Sequence, residues 1–483
     1  MIVPFLFGIE KNPIHYLWIF YKYMEFALEN DYPIIAEEAY FEKPSIYEAK
    51  KEYPFLNIEN NYNTVHEFKK PTDDDMKKLK KYIITKEEKQ KIISEYKTDM
   101  EAYKSLLVKE NKKIEKLITK KIEEIEKKDG KIDAILTWTW YKSLEKVCKE
   151  KNIQLILLEQ TTFRPNTYGI KLGYFQFYDK YNSYQVDADY IKFLQENNNI
   201  FTRKELLAIF LSKENLQYIN YLNNQPSYEF GINIGPDHDP LAEANCNIRD
   251  TDVLKQITKI SPSKDISLRV HPAHSNRNKY NDLYNVDNSK SSLEWILNCR
   301  RIVSVGSNIS FETMLLGRTA YILGDNFPYL YGGINSLKYI DEKVCDIKYL
   351  NYLIFCYYVP YDLMFNNEYI KWRLTNPELN EIYNYNQNYI MKKYRLRKNI
   401  FKITAEERIT EILKNVHNLS NEEILHIKSK SLDNEIRRLK QQLTIEQEKN
   451  AQILGSKSWK ITKPLRWLFY ILKIGEQNGK KSN

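Results

Sequence analysis

A loop rich in small polar residues, between a strand and a helix, is the first place where the sequence predicts anion binding. In SVGSNISFETMLLG, residues 304–317, Gly306 allows close approach to the backbone, and Ser307, Asn308 and Ser310 carry hydrogen-bonding side chains. Amides at the start of the following helix attract anions. The alternative is that these side chains only cap the helix. The loop lacks the GxxxxGK[ST] motif, which disfavours a nucleoside triphosphatase.

A second polar group follows the strand ISLRV. Pro272 stops this strand and leaves His271 at its carboxyl end, close to Arg269. An imidazole there can donate to a phosphate or act as an acid or base, and a purely structural histidine is the alternative. Glu312, in the first turn of the helix that Gly317 ends, either accepts a hydrogen bond from a sugar hydroxyl or only stabilises the helix dipole.

Acidic side chains crowd the loop that follows the strand GINIG. The sequence GPDHDPLAE places Asp237, His238, Asp239 and Glu243 within a few residues of one another. Asp, Gly and Pro are common turn residues, so a simple turn is one interpretation. Carboxylates at the end of a parallel strand also suit a nucleophile or general base, and metal binding is a third alternative.

A glutamate and an arginine flank a fourth strand end, in LILLEQTTFRPNTYG. The strand delivers Glu159 to its carboxyl end, and Arg164 follows in the loop. The two side chains suit binding of an acidic or hydroxyl-rich acceptor, and a plain surface ion pair is the alternative.

Two runs of alternating strands and helices must position these loops. Strand–helix–strand patterns over residues 132–158, and again from 228 to 323, predict an α/β protein with parallel sheets, whose ligands lie at the carboxyl ends of the strands. We therefore expect a GT-B-like fold of two Rossmann-like domains facing across a cleft, with a C-terminal helical extension. The predicted parts are an N-terminal domain at 1–180 with a Lys- and Glu-rich helical insert at 75–128, a helical bridge at 181–228, a second domain at 229–415, a helical linker at 416–454 and a tail at 455–483.

The linker and the tail predict contacts with partners. Leu432, Ile436, Leu439 and Leu443 repeat with 4-3-4 spacing, which is typical of a short coiled coil or an extended helix. Residues 457–473 contain five basic and no acidic residues among bulky aromatics, a composition that suits an interfacial helix on anionic lipid. A helix that docks on the protein's own surface is the alternative. The tail residues expected to contact the membrane include Trp459, Lys460, Arg466 and Trp467.

Composition narrows the remaining choices only a little. The 483 residues suggest more than one domain, and a net charge of +9 is compatible with an anionic substrate, a membrane surface or nucleic acid. The five cysteines are scattered without CxxC spacing, so neither a zinc site nor a disulfide framework is indicated, and a reducing cytoplasm is expected. The N-terminus predicts a first strand rather than a signal peptide, and the apolar runs fall short of the roughly 18 residues of a spanning helix.

The order of these motifs resembles the bacterial capsular polysaccharide synthesis proteins related to the β-Kdo transferases, which are GT-B glycosyltransferases that use CMP-activated sugars. The resemblance covers roughly residues 130–345, and SVGSNISFETMLLGRTAYILGD is its most specific part. The acidic loop GPDHDP departs from the family, which more often has Gln followed by Asp-Ser. Independently, SKSWKITKPLRWL resembles the tail of many bacterial surface-polysaccharide glycosyltransferases.

The resemblance implies roles for the candidate residues. It implies a nucleotide phosphate bound by His271 and the 307–310 loop, with Arg269 and Gly306 beside them, and a nucleotide ribose or donor sugar near Glu312. It implies a catalytic role for Asp239, with Asp237 as the second choice, and an acceptor-side motif at Glu159 and Arg164. His271 is both a phosphate-binding and a catalytic candidate.

We therefore expect a glycosyltransferase that moves a sugar from a nucleotide-sugar donor, CMP-linked and Kdo-like, to a growing capsular or other surface polysaccharide. The alternatives are a UDP- or GDP-linked donor, and a non-catalytic scaffold of a polysaccharide-synthesis complex. No cofactor or strictly required metal is expected. A nucleic-acid partner is not expected either, because basic and aromatic residues cluster only in the tail. The chain is expected to be cytoplasmic and peripheral on the inner face of the cytoplasmic membrane, with a glycan or glycolipid acceptor and self-association through residues 424–454.

Overall fold

The structure is a computed structural model of the chain, and its residues fall into two compact units, Met1–Ile424 and the part from Leu425 onwards. The described residues are 1–8, 17–42, 68–69, 71–138, 140–177, 183–196, 199–236, 246–271, 274, 276–289, 291–324, 330–455 and 462.

Twelve strands occur in the described part of the chain. They are β1 (Ile2–Leu6), β2 (Pro33–Glu37), β3 (Lys80–Ile84), β4 (Ala134–Thr137), β5 (Gln154–Gln160), β6 (Leu172–Phe177), β7 (Tyr228–Ile234), β8 (Ile266–Val270), β9 (Asn285–Val286), β10 (Cys299–Ser304), β11 (Thr319–Ile322) and β12 (Tyr358–Pro360).

The α-helices within the same ranges are α1 (Leu17–Glu29), α2 (Glu38–Phe41), α3 (Asp73–Lys78), α4 (Lys86–Ile93), α5 (Asp99–Val108), α6 (Lys112–Lys128), α7 (Lys142–Glu150), α8 (Ser183–Leu194), α9 (Arg203–Phe210), α10 (Asp250–Ile257), α11 (Ser292–Leu297), α12 (Ile309–Leu315), α13 (Ile347–Tyr352), α14 (Tyr361–Met364), α15 (Asn367–Leu374), α16 (Leu379–Lys393), α17 (Ala405–His417) and α18 (Asn421–Gly455). A π-helical turn, Leu353–Tyr357, follows α13. None of the helices described here is long and apolar enough to cross a membrane.

Two sheets organise the first unit. The strand order is β12-β6-β5-β4-β1-β2-β3 in one sheet and β11-β10-β7-β8-β9 in the other. The second sheet is parallel throughout, whereas β6 and β12 add two antiparallel neighbours to an otherwise parallel first sheet. The expected α/β class with two Rossmann-like halves is confirmed, and residues 132–158 form the predicted unit β4-α7-β5.

Apolar clusters cover both faces of the first sheet because side chains alternate along each strand. On β1, Ile2 and Leu6 join the cluster that contains α1, whereas Val3 and Phe5 join the cluster on the opposite face. That second cluster includes one stripe of α6, with Ile118 and other apolar residues at helical spacing.

The Lys-rich segment 75–128 contains more than the helices that its composition predicts. Lys80–Ile84 form β3, which pairs in parallel with β2 at the edge of the first sheet. Lysines are common on edge strands, where they discourage pairing with another chain, so a Lys-rich composition hides such a strand from a helix-based interpretation. The insert therefore contributes a strand and one side of the core to the N-terminal half.

The range predicted for the second half also contributes to the first sheet. Tyr358–Pro360 form β12, which pairs antiparallel with Leu172–Tyr174 of β6. Neither β6 nor β12 was predicted, because neither belongs to a strand–helix–strand repeat. The chain thus returns to the N-terminal sheet after completing the second one.

Candidate functional site

The topology of the second sheet brings together the three strands that precede three of the predicted loops. In the order β10-β7-β8, the strand before the acidic loop lies between the strands before the 306–310 loop and His271. All three strands are parallel, so their carboxyl ends lie at the same edge, where ligands bind in open α/β sheets. His271, which follows Val270, lies beside the end of β7, because its backbone N–H donates to the Ile234 carbonyl at 2.8 Å.

His271 and Arg269 lie in different environments although they are two residues apart. His271 follows β8 and is exposed to solvent. Arg269 is within β8, where its guanidinium pairs with Asp287 and approaches Ser289 Oγ at 3.3 Å. The charge of Arg269 is thus largely compensated inside the protein, which reduces what it offers to a phosphate.

The 306–310 loop uses several of its polar groups internally. Asn308 is the N-cap residue of α12, with no side-chain cap hydrogen bond, and Ser307 Oγ accepts the backbone N–H of Ile309 at 3.3 Å. Ser310 is completely buried, and its hydroxyl lies 2.7 Å from the Ser304 hydroxyl. Gly306, Ser307 and Asn308 are half-buried. The exposed part of the loop therefore precedes the helix rather than extending into it.

Glu312 is held by a residue of the N-terminal half. It is 6% exposed, and its Oε1 accepts a hydrogen bond from the Tyr168 hydroxyl at 3.0 Å. Burial, together with the nearby Glu312 carboxylate, raises the pKa of the Tyr168 phenol well above its usual range, so the phenol stays a hydrogen-bond donor. This bond joins the loop after β5 to the helix after β10.

Aromatic packing surrounds this bond. The ring of Phe163 lies 4.7 Å from Tyr168, 5.0 Å from Phe210 and 5.4 Å from Phe311, measured between centroids. Phe311 precedes Glu312 on α12, and Phe163 precedes Arg164 on the acceptor-side loop. The hydrogen bond and the aromatic cluster together fix the loop after β5 against α12.

Glu159 and Arg164 were predicted at the mouth of the N-terminal half. Glu159 lies near the carboxyl end of β5 with Oε1 2.7 Å from the backbone N of Gln160, and Arg164 is exposed in the following loop. Burial among protein atoms raises the pKa of Glu159, although part of the side chain is exposed to solvent. The Gln160 N–H and the charge of Arg164 act in the opposite direction and lower this pKa. A carboxyl of raised pKa at a strand end is a candidate for proton transfer.

The acidic loop and the tail lie outside the described residues. This applies to Asp237, His238, Asp239 and Glu243, and to Trp459, Lys460, Arg466 and Trp467. Their roles stay predictions. Within the described ranges, no group of three or more His, Cys, Asp or Glu side chains could hold a metal ion, and a metal requirement is untested.

The sequence motifs did not identify two buried residues, Tyr168 and Glu37. Tyr168 lies in a loop, and its sequence surroundings give no sign of a partner 144 positions later. Glu37 ends β2, is 3% exposed and pairs with Lys89 at 2.6 Å, and burial raises its pKa despite that lysine. Both contacts form only when distant segments pack together.

Comparison with known families decides the enzyme class. Residues 2–182 match the glycosyltransferase 99 family N-terminal domain. This match confirms the expected recognition of the chain as a glycosyltransferase. It spans β1 to β6 and ends where the helical bridge begins.

Solved structures with partial similarity include two KpsC proteins. The Thermosulfurimonas dismutans KpsC β-Kdo 2,7 transferase is 15% identical, with a TM-score of 0.35 over 50% of this chain and 82% of that one. The β-Kdo 2,4 transferase from the same organism is 15% identical, with a TM-score of 0.28 over 46% and 78%. A Neisseria meningitidis UDP-GlcNAc 2-epimerase is 11% identical, with a TM-score of 0.29 over 82% and 100%. No curated protein matches the chain. At these TM-scores the enzyme class rests on the family match.

Replacing Tyr168 with Phe tests the bond between the two halves. Removal of the hydroxyl leaves a buried carboxylate without one hydrogen bond, so we expect a loss of about 1–3 kcal/mol in the free energy of unfolding. Tyr23→Phe is the matched control, because the Tyr23 hydroxyl is buried without a hydrogen-bond partner in the described structure and its removal should cost under about 0.5 kcal/mol. Equal effects of the two changes in urea unfolding would contradict the assignment.

Proposed function

We propose that the protein transfers a sugar from a nucleotide-sugar donor, CMP-linked and Kdo-like, to a growing capsular or other surface polysaccharide. The observation that carries the proposal is that the three strands before the candidate loops, β10, β7 and β8, are adjacent and parallel. The glycosyltransferase class of the N-terminal half supports the reaction type. The sequence motifs support the choice of donor and acceptor.

In this proposal the donor phosphate lies between His271 and the 306–308 backbone. His271 is exposed at its strand end, where a protonated imidazole donates a charge-assisted hydrogen bond to a phosphate oxygen. Arg269 is a positioning residue, since it is paired with Asp287. Fixed donors at the departing nucleotide phosphate would lower the barrier by stabilising the charge that develops there.

The carboxylates divide the chemistry between them. Asp239, with Asp237 as the second choice, acts as nucleophile or general base from the loop that follows the central strand β7. Glu159 and Arg164 bind a hydroxyl-rich or acidic acceptor at the mouth of the N-terminal half. Glu312, whose Oε1 accepts the Tyr168 hydroxyl, would lie near the nucleotide ribose or donor sugar.

Calorimetry with CMP, UDP and GDP on the full chain tests this site. We expect the tightest binding for CMP and a loss of roughly tenfold or more for His271→Ala, because a hydrogen bond to a charged group contributes about 1.5–3 kcal/mol. His426→Ala, an exposed histidine of α18, should bind as the wild type does. Tighter UDP or GDP binding would replace the donor assignment. Absence of binding to all three nucleotides would favour a non-catalytic scaffold.

We further propose that the tail attaches the protein to the inner face of the cytoplasmic membrane. Residues 457–473 combine five basic side chains, no acidic one, and Trp459 and Trp467. Basic residues near anionic lipid contribute about 1 kcal/mol each, and the aromatic rings prefer the headgroup region. The acceptor glycan or glycolipid would then be reached from the membrane surface.

Deletion of residues 455–483 should abolish sedimentation of the protein with phosphatidylglycerol-containing vesicles. Pure phosphatidylcholine vesicles are the control for charge, and binding of the full chain to anionic vesicles should weaken as salt is raised. Undiminished sedimentation of the truncated protein would mean that the tail docks elsewhere.

We also propose that α18 self-associates as a parallel two-stranded coiled coil. With Leu432 and Leu439 at d positions and Ile436 and Leu443 at a positions, the pattern favours two strands. Ile436, Leu439 and Leu443 are 42%, 52% and 56% exposed in the single chain. In a parallel dimer, the flanking g and e positions pair Lys428 with Asp433 and Glu435 with Lys440 of the second copy.

Leu439→Lys should convert a dimer into a monomer in sedimentation equilibrium, because it places a charge in the apolar seam. Glu448→Lys, at an outward f position on the same helix, is the control and should leave the dimer intact. A monomeric wild type at tens of micromolar would sink this proposal.

A further inference from the structure

A pocket with a volume of about 410 Å³ lies against the first sheet, at a different place from the strand-end loops. Its walls come from the end of β6, from α8, from the π-helical turn, and from α15 and the start of α16. Gln176 and Phe177 of β6 pair with Leu157 and Ile156, so the pocket lies towards the amino end of β5, whereas Glu159 lies near its carboxyl end.

Arg373 of α15 is the charged residue at the buried end of this pocket. It is 5% exposed, and its guanidinium lies over Phe175, at 5.0 Å from the ring centroid, and near Phe177. Its Nη1 donates to the Tyr369 hydroxyl at 3.1 Å, and its buried Nε has no hydrogen-bond partner among the described atoms. A guanidinium carries five N–H donors, so most of the hydrogen-bonding capacity of Arg373 is unused.

Three other arginines, one buried and two half-buried in the described structure, have partners that Arg373 lacks. Arg301 pairs with Glu229 and Glu342, and Arg408 pairs with Glu205 at 2.7 Å. Arg203 donates to three backbone carbonyls. Arg373, in contrast, has no carboxylate within ion-pair distance in the described part of the chain. An uncompensated buried charge is costly, and one that lines a pocket is explained if a ligand supplies the missing anion.

The charges around the pocket decide which anion fits. Asp189 lies 3.9 Å from Lys192, and Glu196 and Glu378 are exposed at the rim. These carboxylates would repel a dianionic phosphate or a polyanion. The planar guanidinium fork instead suits a single carboxylate, which it can bind through two parallel hydrogen bonds.

The remaining lining favours a sugar as the body of the ligand. Asn380 and Asp189 provide partners for hydroxyl groups, and Tyr352 and Phe177 provide apolar ring surface. The volume lies within the usual range for small-molecule sites and accommodates a monosaccharide. We propose that this pocket binds the carboxylate of an acidic monosaccharide through Arg373. The choice of a sugar rests on the proposed polysaccharide acceptor, whereas the choice of a carboxylate does not.

Titration of the full chain with glucuronate, glucose and inorganic phosphate, followed by ligand-observed NMR, tests the site. We expect saturable binding of glucuronate, no binding of glucose, and phosphate binding at least tenfold weaker than glucuronate. Arg373→Met should weaken glucuronate binding at least tenfold. Arg373→Lys keeps the charge without the fork and should weaken it at least threefold. Equal binding of glucose and glucuronate, tighter binding of phosphate, or unchanged binding by both variants would overturn the proposal.

Thermal unfolding without ligand separates this role from a structural one. Removing an uncompensated buried charge should leave the melting temperature of Arg373→Met unchanged or higher. Arg408→Met is the matched control, because Arg408 also lies over an aromatic ring, Phe401, but is paired with the fully buried Glu205, and its loss should lower the melting temperature by several degrees. A comparable fall for Arg373→Met would show a structural role and overturn the proposal.

The nucleotide site provides an internal reference. Arg373→Met should bind CMP as the wild type does, because Arg373 belongs to the first sheet's pocket and His271 to the second sheet. Loss of glucuronate binding with retained nucleotide binding supports the pocket. Failure of nucleotide binding in the wild type bears on the proposed function alone, and failure of glucuronate binding in the wild type overturns the pocket alone.

Discussion

The hydrogen bond between Tyr168 and Glu312 is the constraint on which the candidate site depends. A carboxylate that is 6% exposed must find a donor, and in this chain that donor comes from the other half of the protein. The Phe163 cluster excludes water around the pair. The bond ties the loop after β5, which carries Arg164, to the helix that follows the Ser307 loop. A contact between two buried side chains, Tyr168 and Glu312, thereby fixes how these two segments pack.

Several polar side chains near the ends of β8 and β10 make hydrogen bonds or ion pairs within the protein. Glu312 is hydrogen-bonded to Tyr168 and Ser310 to Ser304, and Arg269 forms an ion pair with Asp287. Among the described residues at this edge, His271 is exposed and the 306–308 segment is half-buried. In the proposed reaction, a phosphate at this edge would be bound by His271 and by the backbone amides of residues 306–308.

Sequence patterns predicted most of the second sheet because it is built from short strand–helix repeats, each with its own periodicity. Gly317 adopts a positive φ of 74° at the end of α12, as a helix-terminating glycine should. The predictions failed where a strand depends on a distant partner. Lys80–Ile84 carries the lysines of an edge strand, and Tyr358–Pro360 pairs with β6 across more than 180 positions. Likewise, the motifs located Glu312 but could not identify Tyr168, since nothing local links the two.

The arginines show the same limit in electrostatic terms. Arg269 stands beside a His-Pro motif and therefore attracted a phosphate-binding role, yet Asp287 compensates its charge. Arg373 lies in a helix without a recognisable motif. Only the folded structure shows that no carboxylate of the described residues lies within ion-pair distance of it. Whether a buried cation is a binding group depends on the pairing of its charge, not on its neighbours in sequence. Pairing is a tertiary property, so compensated and uncompensated arginines look alike until the chain is folded.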